Sequence, residues 1–138
     1  MTAELRLEAL ACADPDELEL LADEILKSGS EVSVTAGPES VSAPIRVPVP
    51  GTEDTSVVLG HVSLTRCTVI LGGSRGDGVR TGYDLAGAVA AAICDAECHR
   101  RGPLSDRVEA LCHNAMQARD QRGRDRARLV ATTRLEQS

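Results

Sequence analysis

The sequence predicts an α+β fold: N-terminal helices, a central, mostly antiparallel sheet with a long hairpin, and a C-terminal helical pair, in a single domain over residues 1–138. Three observations predict it. A strong helix start stands at Asp14-Pro15-Asp16-Glu17, extended segments separated by glycine turns fill the middle, and helical spacing returns after Gly87.

Ala3–Ala13, rich in Leu and Ala, reads as a short first helix. In the second, Asp14 caps the free N–H groups, Pro15 suits the first helical position and Glu17 stands where a capping-box acid belongs. Leu18, Leu21, Ala22, Ile25 and Leu26 then recur at helical spacing until Gly29. Glu31–Thr35 is expected as a short strand, and Ser42–Val49, with Pro44 and Pro48, as an edge strand. Val57–Leu71 is the longest extended segment. Val62 and Leu64 are out of phase with Cys67, Val69 and Leu71, which predicts a bulge near Arg66 or burial on both faces. Gly72–Gly78 is expected as a hairpin turn into a strand over Val79–Leu85. Ala88–Arg101 reads as an Ala-rich helix with Val89, Ile93 and Ala96 on one stripe, ended by Gly102-Pro103. A last helix from Ser105 or Asp106 carries Val108, Leu111, Cys112 and Ala115. Leu129–Leu135 is expected as a final strand or an extended docking tail.

The composition narrows the function classes. Hydrophobic residues make up 42% of the chain, yet Tyr83 is the only aromatic. Leu, Val, Ile and Ala must pack the core, and each removes less apolar surface than an aromatic would. This leans towards a subunit completed by a partner. Residues 1–60 carry a formal charge of −9 and residues 61–138 one of +3. The net charge of −6 argues against nucleic-acid and anionic-membrane binding. Glu4, Arg6 and Glu8 interrupt the opening residues, a pattern unlike a signal peptide, and no apolar run reaches membrane-spanning length. A cytoplasmic protein with five free thiols is the expectation.

Candidate chemistry is sparse. The glycine-rich loop lacks the P-loop pattern and leads into a strand, so no helix N-terminus awaits a phosphate. Cys94 and Cys98 lie four apart on a helix, followed by His99, with Cys112 and His113 on the next helix. Thiolates and imidazoles suit zinc, which leaves a small zinc- or thiol-based regulatory protein as an alternative; burial of the cysteines as core residues is the simpler reading. Arg119, Arg122, Arg124, Arg126 and Arg128 form a basic run broken by Asp120 and Asp125. Solvated pairs explain such a run, while Arg119, Arg122 and Arg126 are its candidates for an anion contact. His61 is a lone histidine at the start of a strand. No assembled set of catalytic residues is legible.

Four stretches carry a resemblance to a known family. They are Leu10-Ala11-Cys12-Ala13-Asp14-Pro15-Asp16-Glu17-Leu18, then Leu59-Gly60-His61-Val62-Ser63-Leu64-Thr65-Arg66-Cys67-Thr68-Val69, then Gly82-Tyr83 before an Ala-rich helix with Ile93 and Asp95, and finally Val130-Ala131-Thr132-Thr133-Arg134-Leu135. In order and spacing they resemble the phosphonate-metabolism PhnG family, the G subunit of the bacterial carbon–phosphorus lyase core complex. The chain departs from that pattern at Pro50-Gly51-Thr52-Glu53-Asp54, where a Gly-Gly-Thr-Gly run is common. After Gly87 it is several residues shorter.

The resemblance implies a supporting subunit without an active site of its own, partnered by an I-type subunit in an assembly that includes H- and J-type subunits. The complex would use ATP to form a ribose 1-methylphosphonate 5-triphosphate. The S-adenosylmethionine and iron–sulfur chemistry would reside in the J-type subunit, with no cofactor on this chain. Arg66, Tyr83 and Arg134 are the motif residues it implies for an interface or for the local fold.

Overall fold

A computed structural model describes residues 1–51 and 54–137, with side chains as far as Thr133. The elements are α1 (Ala3–Ala11), α2 (Pro15–Lys27), β1 (Val32–Pro48), β2 (Ser56–Leu71), β3 (Ser74–Thr81), α3 (Leu85–His99) and α4 (Ser105–Gln137). The strands form one antiparallel sheet in the order β1-β2-β3. The helices cover one of its faces, so the α+β architecture has an antiparallel sheet flanked in sequence by N-terminal and C-terminal helices.

Local signals account for the helix starts. Thr2 Oγ1 accepts from Leu5 N at 3.2 Å, and Asp14 Oδ2 accepts from Glu17 N at 3.0 Å. Asp84 caps α3 by accepting from Gly87 N at 2.9 Å. Gly87 therefore lies inside the helix rather than before it. A Cβ there would overlap the Asp84 carboxylate, so glycine is what lets the cap close.

Four sequence expectations are corrected. The segments read as separate strands at Glu31–Thr35 and Ser42–Val49 are one strand, β1, kept continuous through the cis Gly37-Pro38 bond by register shifts between Val34 and Glu39. The irregularity expected near Arg66 in β2 thus lies in β1, opposite Arg66 and Thr68. In β2 itself Thr65, Cys67, Val69 and Leu71 alternate regularly into the core. The hairpin turn is Gly72-Gly73 alone, because Leu71 pairs with Ser74. Both glycines have positive φ, as a two-residue turn matching the strand twist requires. Arg75-Gly76-Asp77-Gly78 consequently belongs to β3. Lastly, Leu129–Leu135 is neither strand nor extended tail but continues α4.

The glycines of β3 explain how a core without aromatics closes. Those of Gly76 and Gly78 lie directly beneath α3, where a Cβ would overlap backbone atoms of Ala88, Ala92 and Ala96. The Ala-rich helix thus rests almost on the strand backbone. Ala88, Ala91, Ala92, Cys94 and Ala96 are fully buried, and Leu10, Leu18, Ile25, Val69, Leu71 and Val108 fill the space around them. Close approach replaces side-chain bulk as the source of dispersion contact.

Gly78→Ala is expected to destabilise the chain by about 1–3 kcal/mol through overpacking against α3. Gly60→Ala, where an added Cβ meets nothing within 4 Å, should stay close to wild type; urea denaturation of the two variants checks this contrast.

Candidate functional site

Charged residues are buried where α3 meets the free edge of β3, and they serve the fold. Arg6 Nε donates to Asp95 Oδ1 at 2.7 Å, with both side chains at most 7% exposed. Asp95 Oδ2 accepts from Asp77 N at 2.9 Å, and His99 Nδ1 lies 2.7 Å from Arg75 O. Polar groups on the β3 edge are therefore occupied by side chains from α3, which closes that edge to another strand. Asp77 accepts in turn from Thr68 Oγ1 at 2.7 Å.

A second polar corner joins the end of β3 to the start of α3. Arg80 Nη1 donates to the carbonyls of Leu10 at 2.9 Å and Ala13 at 2.8 Å, and Arg80 Nε to Asp84 Oδ2 at 3.1 Å. A cation thus closes the C-terminal end of α1. Thr65 Oγ1 donates to Gly82 O and accepts from Asp84 N. Tyr83, between these anchored neighbours, is 78% exposed. Its backbone is held while its ring is uncovered.

Arg66 lies on the open face of the sheet, exposed, with Nε 2.8 Å from Glu39 Oε1. Arg134 lies in the last turns of α4, and its side chain falls outside the described residues. Arg66 and Tyr83 are both exposed.

The five residues of the metal alternative do not form a site. Cys94 and Cys112 are sealed in the core, His99 is engaged by Arg75 O, and His113 is exposed. Among the described residues no group of three or more His, Cys, Asp and Glu side chains is placed to hold a metal ion. Burial pushes the Cys98 thiol up to about 11 and the Cys112 thiol up to about 12, and raises Cys94 still further. Such thiols are poor nucleophiles at neutral pH.

The basic run is split by its surroundings. Arg119 is an ion pair with Glu8 that ties α4 to α1. Arg122 lines a cleft of about 640 Å³ shared with Cys12, Asp14, Glu17, Arg80 and Asn114. Those two carboxylates make the cleft mixed in charge rather than an anion cradle. Arg126 stands farther out on α4, where every side chain from Gln117 to Thr133 is exposed, Leu129 and Val130 included.

The second uncovered element is the outer half of the β1–β2 hairpin. β3 pairs with β2 only from Leu64 to Leu71, so beyond Leu64 the hairpin is a two-stranded ribbon. Ile45, Val47, Val57, Val58, Leu59 and Val62 are exposed along it. Projecting apolar ribbons and helices mark interaction surfaces when they lie outside any core. Sequence reasoning missed the ribbon because it read β1 as two separate strands, Glu31–Thr35 and Ser42–Val49. It also gave no structural role to Arg6 and Arg80, which the fold buries.

Arg6→Met is expected to cost about 3–5 kcal/mol in urea unfolding, since it leaves the Asp95 carboxylate buried without its counter-charge. Iodoacetamide at pH 8 is expected to label Cys12 first in the folded chain. Mass spectrometry should find Cys67, Cys94 and Cys112 modified only after denaturant is added.

No curated protein matches the chain. A family model, that of the phosphonate metabolism protein PhnG, matches residues 3–137. Nearly the whole fold just described, from the first turn of α1 to the end of α4, is thus covered by one model, and the chain belongs to the PhnG family.

Proposed function

We propose that this chain is a supporting subunit of the carbon–phosphorus lyase core in phosphonate catabolism. It docks on an I-type subunit, within an assembly that also holds H- and J-type subunits, and assists the ATP-dependent formation of ribose 1-methylphosphonate 5-triphosphate. Membership of the PhnG family gives the phosphonate-metabolism role. The observation that carries the supporting role is the part of α4 beyond the Arg119–Glu8 pair, exposed on every side from Asp120 to Thr133. A helix that packs on nothing gains no tertiary stabilisation, and its own side-chain pairs contribute only a few tenths of a kcal/mol each. Its apolar Leu129 and Val130, and the arginines beside them, are suited to a partner groove rimmed with carboxylates.

In this reading ATP, S-adenosylmethionine and the iron–sulfur cluster belong to other subunits. No helix among the described residues is long and apolar enough to cross a membrane, which accords with an assembly working in the cytoplasm.

Co-expression with an I-type subunit tests the proposal. The full chain is expected to co-purify with it. Truncation after Asp120 keeps the Arg119–Glu8 pair and the core, and is expected to leave the unfolding midpoint nearly unchanged while weakening the association at least tenfold. A full chain that elutes free of the I-type subunit would overturn the reading.

A further inference from the structure

The sheet has three edges, and they are not treated alike. The β3 edge is closed by Asp95 and His99. The β1 edge carries Pro38, Pro44 and Pro48, which break its row of N–H donors. The third edge is that of β2 from Val57 to Ser63, exposed because β3 stops at Thr81 opposite Leu64. It has neither proline nor charged residue, and its sequence is Val57-Val58-Leu59-Gly60-His61-Val62-Ser63. Ser63 O already accepts from Gly82 N at 2.8 Å, on the side away from β1. By the alternation of a strand, His61 turns its N–H and C=O the same way, with no β3 residue to receive them. An uncharged, β-branched edge without protection is a template for another strand.

We propose that this edge pairs with the same edge of a second copy, antiparallel about a twofold axis at Gly60. The stretch is self-complementary. Ile45 pairs with Gly60 and Arg46 with Val58, so Leu59 is an extra, bulged residue. Leaving Leu59 out, Gly60 lies across from itself, Val58 across from His61, and Val57 across from Val62. Val57 and Val62 pair within each ribbon with Val47 and Ala43, so the twofold continues one apolar row across four strands. The protein's charge of −6 does not oppose this contact, because Ser56–Thr65 contains no charged residue.

The fit has a natural end. Beside Ser63 the place of a further strand residue is taken by Gly82, and the other copy's β2 begins at Ser56. The partner's chain at Asp54 and Thr55, just ahead of its β2, therefore arrives at Gly82 and Tyr83. This gives the exposed ring of Tyr83 a covering surface. The pairing is isologous and closes on itself as a dimer, and it leaves the α4 extension open to the larger partner. It stands independently of that partner's identity.

Analytical ultracentrifugation of the full chain is expected to give twice the 14.5 kDa protomer mass. Acrylamide quenching of Tyr83, the sole aromatic fluorophore, should fall as the dimer forms. Val57→Lys with Val62→Lys places like charges across the twofold and is expected to weaken dimerisation at least tenfold, whereas Val57→Lys with Val62→Glu restores it. Both pairs lie on exposed positions, and circular dichroism should show the fold unchanged. Gly60→Cys, at the axis, is expected to form an interchain disulfide between two copies on mild oxidation, either alone or in a co-purified complex. Ser42→Cys on β1 should not. A monomer with no Gly60→Cys disulfide, or a dimer indifferent to the charge swap, would overturn the proposal.

Discussion

The close seat of α3 on β3 is the contact on which the rest of the molecule depends. Gly76 and Gly78 remove the side chains that would hold the helix away, and alanines meet them from the other side. This brings Asp95 and His99 within reach of the β3 backbone, where they close the edge. It also places Asp95 deep enough to need Arg6, which fastens α1 onto the same junction. A bulkier interface would lift α3, leave the edge unpaired and strand a carboxylate in the interior. The absence of aromatics from the core follows the same logic, since a core built by near contact of backbones has little room for rings.

The α3–α4 connection extends this tight packing. Glu97, fully buried, is held by Arg100 Nε and accepts from Leu104 N at 3.2 Å. Gly102 lies against that carboxylate with no room for a Cβ, and Arg101 adopts a positive φ of 53° beside it. The turn thereby sets the direction of α4, which leaves the body after Met116. A rigid turn and a long helix carry the exposed arginines well clear of the core. The ribbon does the same for an apolar strand edge. A compact interior with two uncovered extensions is what a component of a larger assembly requires, because partners are engaged without disturbing the core.

Much of the fold was legible along the chain, and the reasons lie in particular residues. The Asp14 cap and the Leu18–Ile25 stripe define α2 from local rules alone, and Val108, Leu111, Cys112 and Ala115 declare the buried face of α4. Motif order was enough to suggest the family that the model match shows. The glycines misled because glycine serves two purposes. At Gly72 and Gly73 it turns the chain, whereas at Gly76 and Gly78 it admits a helix, and only the position of α3 separates the two uses. Pro44 and Pro48 marked an edge strand, as β1 is. The residues between Thr35 and Ser42 did not show that Glu31–Thr35 continues into it, because the join is a bulged stretch around Gly37-Pro38 that only pairing with β2 holds in line.

Helix caps, core stripes and family were thus written in short-range spacing, where each residue's neighbours in sequence are its neighbours in space. Which charges are interior, which thiols are inert and which strand edge lies open were decided by contacts between distant segments. Arg6 meets Asp95 across 89 residues of chain, and Arg80 meets Leu10 across 70. No local pattern encodes such pairings, because desolvation and partner charge act only once the helices have closed on the sheet.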